Sequence, residues 1–319
     1  MTATSDFIQT RSPVLFIIFN RPDTTAQVFN QIKKAKPKRL YIAGDGARNE
    51  RPGETQLCEA ARNVVNEIDW ECDVKTRFQD VNLGCKDGVS TAISWFFEHE
   101  EEGIILEDDC LPADSFFSFC DNLLEKYRYD TRVRHITGCN LQQGKKWGDA
   151  SYYFSNITHV WGWAGWRRVW KDYDKDLKRF DESSLRYEIG KIFQDSFILD
   201  SLEQIFKELK AGKIDTWDYQ LGFLNYLNNG LCIIPNVNLI SNLGFGTGST
   251  HTVNTDSPYA NLPVGSLTKI VHPRYFLPEK QADLFTLSHD FNIEERERRH
   301  NLLRRKVKRW VKEKLMTNE

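Results

Sequence analysis

Three carboxylates stand side by side at Glu107-Asp108-Asp109, directly after the apolar run Gly-Ile-Ile-Leu. At the end of a buried strand they would repel one another and lose hydration, which raises their pKa values unless a cation neutralises them. A hard divalent ion, Mn²⁺ or Mg²⁺, suits oxygen donors of this kind. Such an ion typically takes one or two carboxylates and completes its shell with substrate phosphates, so a short acidic motif suggests a bridge to a diphosphate. The plainer alternative is a solvated acidic turn. Asp45, in Gly-Asp-Gly, follows another apolar segment. A carboxylate there can accept from a base N–H, or it can simply close a β-turn, where Asp and Gly are favoured. Arg21, in Asn-Arg-Pro-Asp, can pair with a phosphate or a base, or lie on the surface beside a proline turn.

Further chemistry-bearing residues lie downstream. Asp215-Thr216-Trp217-Asp218 precedes an apolar helical stretch. Asp218 is the candidate general base for an acceptor hydroxyl, with Asp215 as the fallback. The competing reading is helix capping by Asp215 or Thr216, with Asp218 held by the helix dipole, which would also weaken it as a base. Residues 244–251 read Gly-Phe-Gly-Thr-Gly-Ser-Thr-His. Such a loop can point backbone N–H groups at an anion and can close over a ligand, yet it lacks the Gly-Lys-Ser/Thr ending of a Walker motif. His251 can complete a metal shell or touch phosphate. Four tryptophans stand at 161, 163, 166 and 170. Indole rings fill cores and also stack on the apolar faces of sugars. Trp163, Trp166 and Trp170 have helical spacing and read as core, whereas Trp161 and Gly162 precede any helix and are placed beside a sugar.

The elements that must position these groups alternate through the first half. Strands are expected at about residues 14–19, 39–43, 74–78, 103–106 and 133–137. Helices are expected at about 24–35, with Asp23 or Thr24 as cap, and at 54–68, 87–99 and 115–127. Alternation of this kind predicts an α/β fold with a mostly parallel sheet flanked by helices, and ligands in such folds bind beyond the carboxyl ends of the strands. After about residue 140 the alternation stops. Helices are expected at about 195–210 and 217–228, and short strands at 231–234 and 237–240.

The 319 residues carry a formal charge of −2. That total conceals an uneven distribution. Residues 294–314 hold ten Lys or Arg against four Glu, a net of +6, which leaves −8 on the rest of the chain. An amphipathic basic helix from about 292 to 315, with Trp310 among its apolar residues, would suit an anionic membrane surface; a solvated helix is the competing reading. No reader motif points to nucleic acid. The seven cysteines have no C-x-x-C spacing, so reduced thiols in a cytoplasmic protein are expected. No apolar run is long enough to span a bilayer, and no signal peptide is apparent.

The segments VLFIIFNRP, AGDG, NLGCKDG and GIILEDDCLPADSFF together resemble the GT-A glycosyltransferases, in particular N-acetylglucosaminyltransferase I and its bacterial relatives. The likeness covers roughly residues 13–252. It implies a Rossmann-like GT-A catalytic domain; because no clean linker appears before about residue 255, that domain is read over 1–255, with a C-terminal extension over 256–319 that ends in the basic helix and lies outside the resemblance. It also implies roles. Asp109 would be the direct ligand of Mn²⁺ or Mg²⁺, with Asp108 beside the donor ribose or sugar and Glu107 among the substrate-facing carboxylates. Asp45 would contact the base, Arg21 would hold the nucleotide, and Lys86 falls near a nucleotide-contacting stretch. Asp218 would be the base, Trp217 would pack on the transferred sugar, and Gly246 and Ser249 would belong to a loop over the diphosphate.

These readings converge on a metal-dependent glycosyltransferase of inverting type. It would move a hexosyl or N-acetylhexosaminyl group from a nucleotide sugar, with UDP-sugars favoured, to a glycan or lipid-linked acceptor, on or near the inner face of the cell membrane. The competitors are a sugar nucleotidyltransferase, which would want a glycine-rich basic loop after the first strand, and a non-catalytic glycan-binding protein.

Overall fold

The computed structural model describes residues 9–245 and 257–302. The first half runs β1 (Val14–Ile18), α1 (Pro22–Ala35), β2 (Arg39–Gly44), α2 (Glu54–Val64), β3 (Asp73–Phe78), α3 (Gly84–His99), β4 (Glu102–Glu107), β5 (Cys110–Pro112), α4 (Asp114–Tyr127) and β6 (Val133–Thr137). All five residues of β1 are buried. Val14, Phe16 and Ile18 join the apolar layer under α1 and α4, while Leu15 and Ile17 join the layer under α3. This is the two-sided burial that an unbroken apolar run demands. Each such side chain contributes roughly 1.5–3 kcal/mol when fully buried. α1 begins at Pro22 with Arg21 in the cap position and no side-chain cap, not at Asp23 or Thr24. The preset φ of proline suits a first helical position, where no N–H is needed.

The second half adds β7 (Tyr152–Ser155), β8 (Trp163–Trp166), α5 (Arg167–Trp170), α6 (Glu182–Ile189), α7 (Ser196–Lys210), α8 (Asp218–Leu227), β9 (Leu231–Pro235), β10 (Ile240–Asn242) and α9 (Lys280–Asp290). One eight-stranded sheet has the order β3-β2-β1-β4-β8-β6-β9-β7, and β10 pairs with β5 in a second small sheet. The β3-β2-β1-β4 block is parallel, as is β6 with β9. β8 runs antiparallel to both neighbours and joins the two blocks. The expected α/β class and mostly parallel sheet are therefore present.

The tryptophan run departs from its expected helix. Trp163 and Trp166 lie on β8 and only residues 167–170 are helical. A spacing of three places side chains on one helix face but on opposite faces of a strand. Trp163 accordingly packs among Trp170 and Trp217, and Trp166 in the other apolar layer. All three are core residues, as expected.

The C-terminal segment is fastened to the β7 edge. Phe276 stacks on Phe154 at 5.0 Å, Pro278 bridges to Phe154, and the carboxylate of Asp283 accepts from the Ser155 hydroxyl at 2.5 Å and the Asn156 amide at 3.1 Å. Residues 293–302 are helical, and Ile293 packs with α7 residues. The rest of the basic stretch, Trp310 included, lies outside the described residues. Among the described residues no helix is long and apolar enough to cross a membrane, and all seven cysteines are free.

Candidate active site

The carboxyl ends of β1, β2 and β4 open into a cleft of about 460 Å³, whose far wall is the segment from Asp215 to Asp218. The strands deliver Arg21, Asp45 and Glu107–Asp109 to it, and Trp161 leads in from the approach to β8. Among the described residues the cleft is lined by six carboxylates, Asp45, Glu107, Asp108, Asp109, Asp215 and Asp218, against three guanidiniums, Arg21, Arg48 and Arg77. That excess of negative charge would repel a diphosphate unless further positive charge enters with it.

The three consecutive carboxylates have different surroundings. Asp108 is buried and accepts from the Phe19 amide at 2.9 Å. Burial and the neighbouring Asp109 push its pKa up to about 7. Asp109 meets Arg21, whose Nη1 donates to Oδ2 at 2.7 Å and lies 3.6 Å from Asp108 Oδ1. Glu107 makes no side-chain hydrogen bond or ion pair among the described residues. Burial, Asp109, Asp108 and Asp218 together hold its pKa well above the usual carboxylate range. The Cys85 thiol is raised by burial and then by Glu107, Asp218, Asp215 and Asp109, so these carboxylates converge on one space.

The donor set fits a hard divalent ion. It consists of carboxylate oxygens, one of them unpartnered, in an acidic cleft. Among the described residues no group of three or more His, Cys, Asp or Glu is arranged to hold a metal alone. The fit is therefore to an ion held by one or two carboxylates, with its remaining sites left for substrate oxygens. Gly244 supplies a further constraint. A Cβ built there would lie 2.1 Å from Asp109 Oδ2, so the backbone seats itself directly against that carboxylate.

Asp45 and Asp215 are engaged with the start of α3. Asp45 accepts from the amides of Gly46, Leu83 and Gly84 and from Asn82 Nδ2. Burial still leaves its pKa raised. Asp215 accepts from the amides of Cys85 and Lys86 at 3.1 and 3.0 Å. The helix N-terminus that would otherwise attract an anion already has its acceptors. Asp218, first residue of α8, accepts from the Thr216 hydroxyl and faces the cleft beside Trp217.

No family model matches the chain, and no curated protein matches it in sequence. Solved structures of partial similarity exist. A UDP-glucose pyrophosphorylase complexed with UDP-glucose aligns over 52% of this chain and 81% of its own, at 8% identity and a TM-score of 0.31. The 4-diphosphocytidyl-2C-methyl-D-erythritol synthase from Anaerococcus prevotii covers 58% and 85%, at 9% and 0.33. The inositol-1-phosphate CTP transferase from T. maritima covers 54% and 76%, at 10% and 0.30. At these scores the likeness assigns no activity to this chain.

Not every residue singled out from sequence reaches the cleft. Lys86 is not among the lining residues, and its Nζ pairs with Asp176 at 2.7 Å. Gly162 has φ +57°, and a Cβ there would lie 2.4 Å from Ile240 Cδ1. Its close approach is thus to the core and not to a ligand. Trp217 lines the cleft but is buried, stacked on Trp163 at 6.0 Å. Gly246, Ser249 and His251 lie outside the described residues. Sequence reasoning passed over Phe19, Arg48, Gln79 and Asn82, which line the β1–β2 side. Their signal was position alone, since each follows a strand end or precedes α3. Arg48 is held by Glu54, whose pKa falls to about 2 through that pairing, and its guanidinium lies 5.4 Å from the Phe19 ring centre.

Proposed function

We propose that this chain is a divalent-metal-dependent transferase acting on a nucleotide sugar, and specifically a glycosyltransferase. The observation that carries the reading is the meeting of the Glu107–Asp109 carboxylates with Asp218 across one cleft at the ends of parallel strands. Asp109, aided by Glu107, would hold a Mn²⁺ or Mg²⁺ ion. When bound, that ion would supply the positive charge that a leaving diphosphate needs. Asp218 would take the proton of an acceptor hydroxyl approaching from the α8 side, its carboxylate oriented by the Thr216 hydroxyl. Asp45 and Asp215 would keep α3 and the far wall in register, so that base and donor face each other. Trp161, with Phe245 at 5.7 Å and Tyr259 at 6.5 Å, offers aromatic surface at the cleft for a sugar ring.

Sugar nucleotidyltransfer is the second reading, and it agrees with the names of the similar solved structures. A triphosphate substrate would need a cradle after β1. Only Phe19, Asn20 and Arg21 separate β1 from α1, and none is glycine, which favours glycosyl transfer. The test is a thermal-shift screen of UDP-, GDP- and CDP-sugars with Mn²⁺, followed by assays of the stabilising ligand. Release of nucleoside diphosphate supports the glycosyltransferase. Release of pyrophosphate from a nucleoside triphosphate and a sugar phosphate supports the alternative. Sugar binding that persists in EDTA without any nucleotide binding would leave only a glycan-binding protein. The acceptor is proposed as a glycan or lipid-linked glycan, and its membrane context rests on the basic C-terminal stretch.

A further inference from the structure

We propose that Arg21 is a built-in counter-ion that occupies the carboxylates of Asp108 and Asp109 until a diphosphate draws it away, so that metal and nucleotide bind together and not singly. The inference rests on the reading of the cleft as a metal–nucleotide site and adds an order of assembly to it.

The geometry is specific. Arg21 Nη1 lies 2.7 Å from Asp109 Oδ2 and 3.6 Å from Asp108 Oδ1, between the two oxygens that a lone cation would seek. A divalent ion arriving by itself must displace a charge-assisted hydrogen bond, of the stronger class in proteins. The Arg21 side chain is partly exposed, at 22%, and already lines the cleft, so it has open space to turn into. Its backbone carbonyl, not its side chain, receives the hydroxyl of Thr25 at 2.7 Å at the start of α1, so the side chain can turn without undoing that helix start.

The remaining positive groups leave a diphosphate little else to use. Arg48 is committed to Glu54, with Nε 2.9 Å from Oε2. Lys86 pairs with Asp176. The first amides of α3 are taken by Asp45 and Asp215. Arg77 donates only a long hydrogen bond, 3.4 Å, to the Thr91 carbonyl, and it comes from β3, away from β4. Among the described residues, Arg21 is therefore the cation at the β4 end that can leave a carboxylate for a phosphate. Its departure uncovers Asp109 for the metal, and the phosphate receives a planar donor suited to it.

The experiment uses the full chain and two probes, Mn²⁺ alone, read by electron paramagnetic resonance, and UDP at saturating Mn²⁺, read by calorimetry. Arg21→Gln is expected to bind Mn²⁺ alone roughly tenfold more tightly than the parent, and UDP with Mn²⁺ roughly tenfold more weakly, as for one charge-assisted hydrogen bond. Arg21→Lys keeps the charge and is expected to stay near the parent for Mn²⁺ alone. Unchanged or weaker Mn²⁺ binding by Arg21→Gln overturns the inference, as does equal tightening in both variants, because charge would then not be the cause. A parent protein that binds UDP with Mn²⁺ while Arg21→Gln leaves Mn²⁺ affinity unchanged sinks this inference alone. A parent that binds none of UDP, GDP or CDP with Mn²⁺ sinks the functional reading beneath it.

Discussion

Asp45 and Asp215 grip the same helix start from two sides. The first accepts from the amides of Leu83 and Gly84, and the second from those of Cys85 and Lys86. Carboxylates that could have faced a ligand instead satisfy the orphan donors of α3. The cleft keeps its shape because its β2 floor and its far wall are tied to one helix.

Removing one of these acceptors should loosen the wall before it touches the chemistry. Asp215→Ala is expected to cost about 0.5–2 kcal/mol, the range for a lost helix cap, and to raise hydrogen exchange at Cys85 and Lys86. Urea unfolding and amide exchange measure both. Unchanged exchange at those two amides would contradict the assignment.

Asp218→Asn keeps an acceptor for the Thr216 hydroxyl but cannot take a proton. Transfer is expected to fall by about 10²–10⁴-fold, the usual worth of a positioned base, with binding of nucleotide and Mn²⁺ unchanged. Steady-state turnover alongside calorimetry separates the two effects. Comparable losses in both would make Asp218 a binding group.

Gly244→Ala tests the seat of Asp109. The added Cβ would lie 2.1 Å from Oδ2 and 2.9 Å from Cγ, so the carboxylate must move. Nucleotide binding in Mn²⁺ should weaken roughly as in Asp109→Ala, by about tenfold or more for one charged contact, while the melting temperature stays close to the parent's. Full binding in the alanine variant would show that Asp109 tolerates displacement.

Asp283 gives a pH dependence far from the cleft. Burial raises its pKa from 3.8 to about 6, opposed by the Ser155 and Asn156 hydrogen bonds. The folded chain then holds this proton more tightly than the unfolded one, so its contribution to stability is greatest below pH 3.8 and is lost as pH rises through about 6. Asp283→Asn should remove that slope. The stability difference between variant and parent is expected to shift in the variant's favour by up to about 3 kcal/mol across this interval. Urea titrations at pH 4 to 7 measure it, and parallel curves would refute the assignment.

Much of the first half was legible because each strand there is an unbroken apolar run and each helix an amphipathic one. β1, β2, α3 and β4 fall close to their expected positions, and the chain order of a βαβ series dictates where Arg21, Asp45 and Asp109 emerge. β8 was not legible, because tryptophans three apart fit a helix face as well as two faces of a strand. Nor was the partner of Arg21, since it lies 88 positions away in the turn that follows β4 and local pattern carries no such information. Lys86 misled for a related reason. Its place at the start of α3 is near the cleft, but its side chain is drawn out by Asp176, which no spacing rule connects to it.

The antiparallel β8 also governs how this protein comes into being. Its neighbours β4 and β6 are both synthesised before it, yet they do not pair with each other. When the Trp163–Trp166 segment emerges, the β3-β2-β1-β4 block stands open at β4, while β6 and β7 still lack β9, which pairs with both of them and is synthesised later. Closing such distant pairings is slow, and each waiting strand presents a bare edge meanwhile. Substitutions in this segment are thus expected to reveal themselves first as aggregation during synthesis, and only secondarily as lost stability in whatever protein matures.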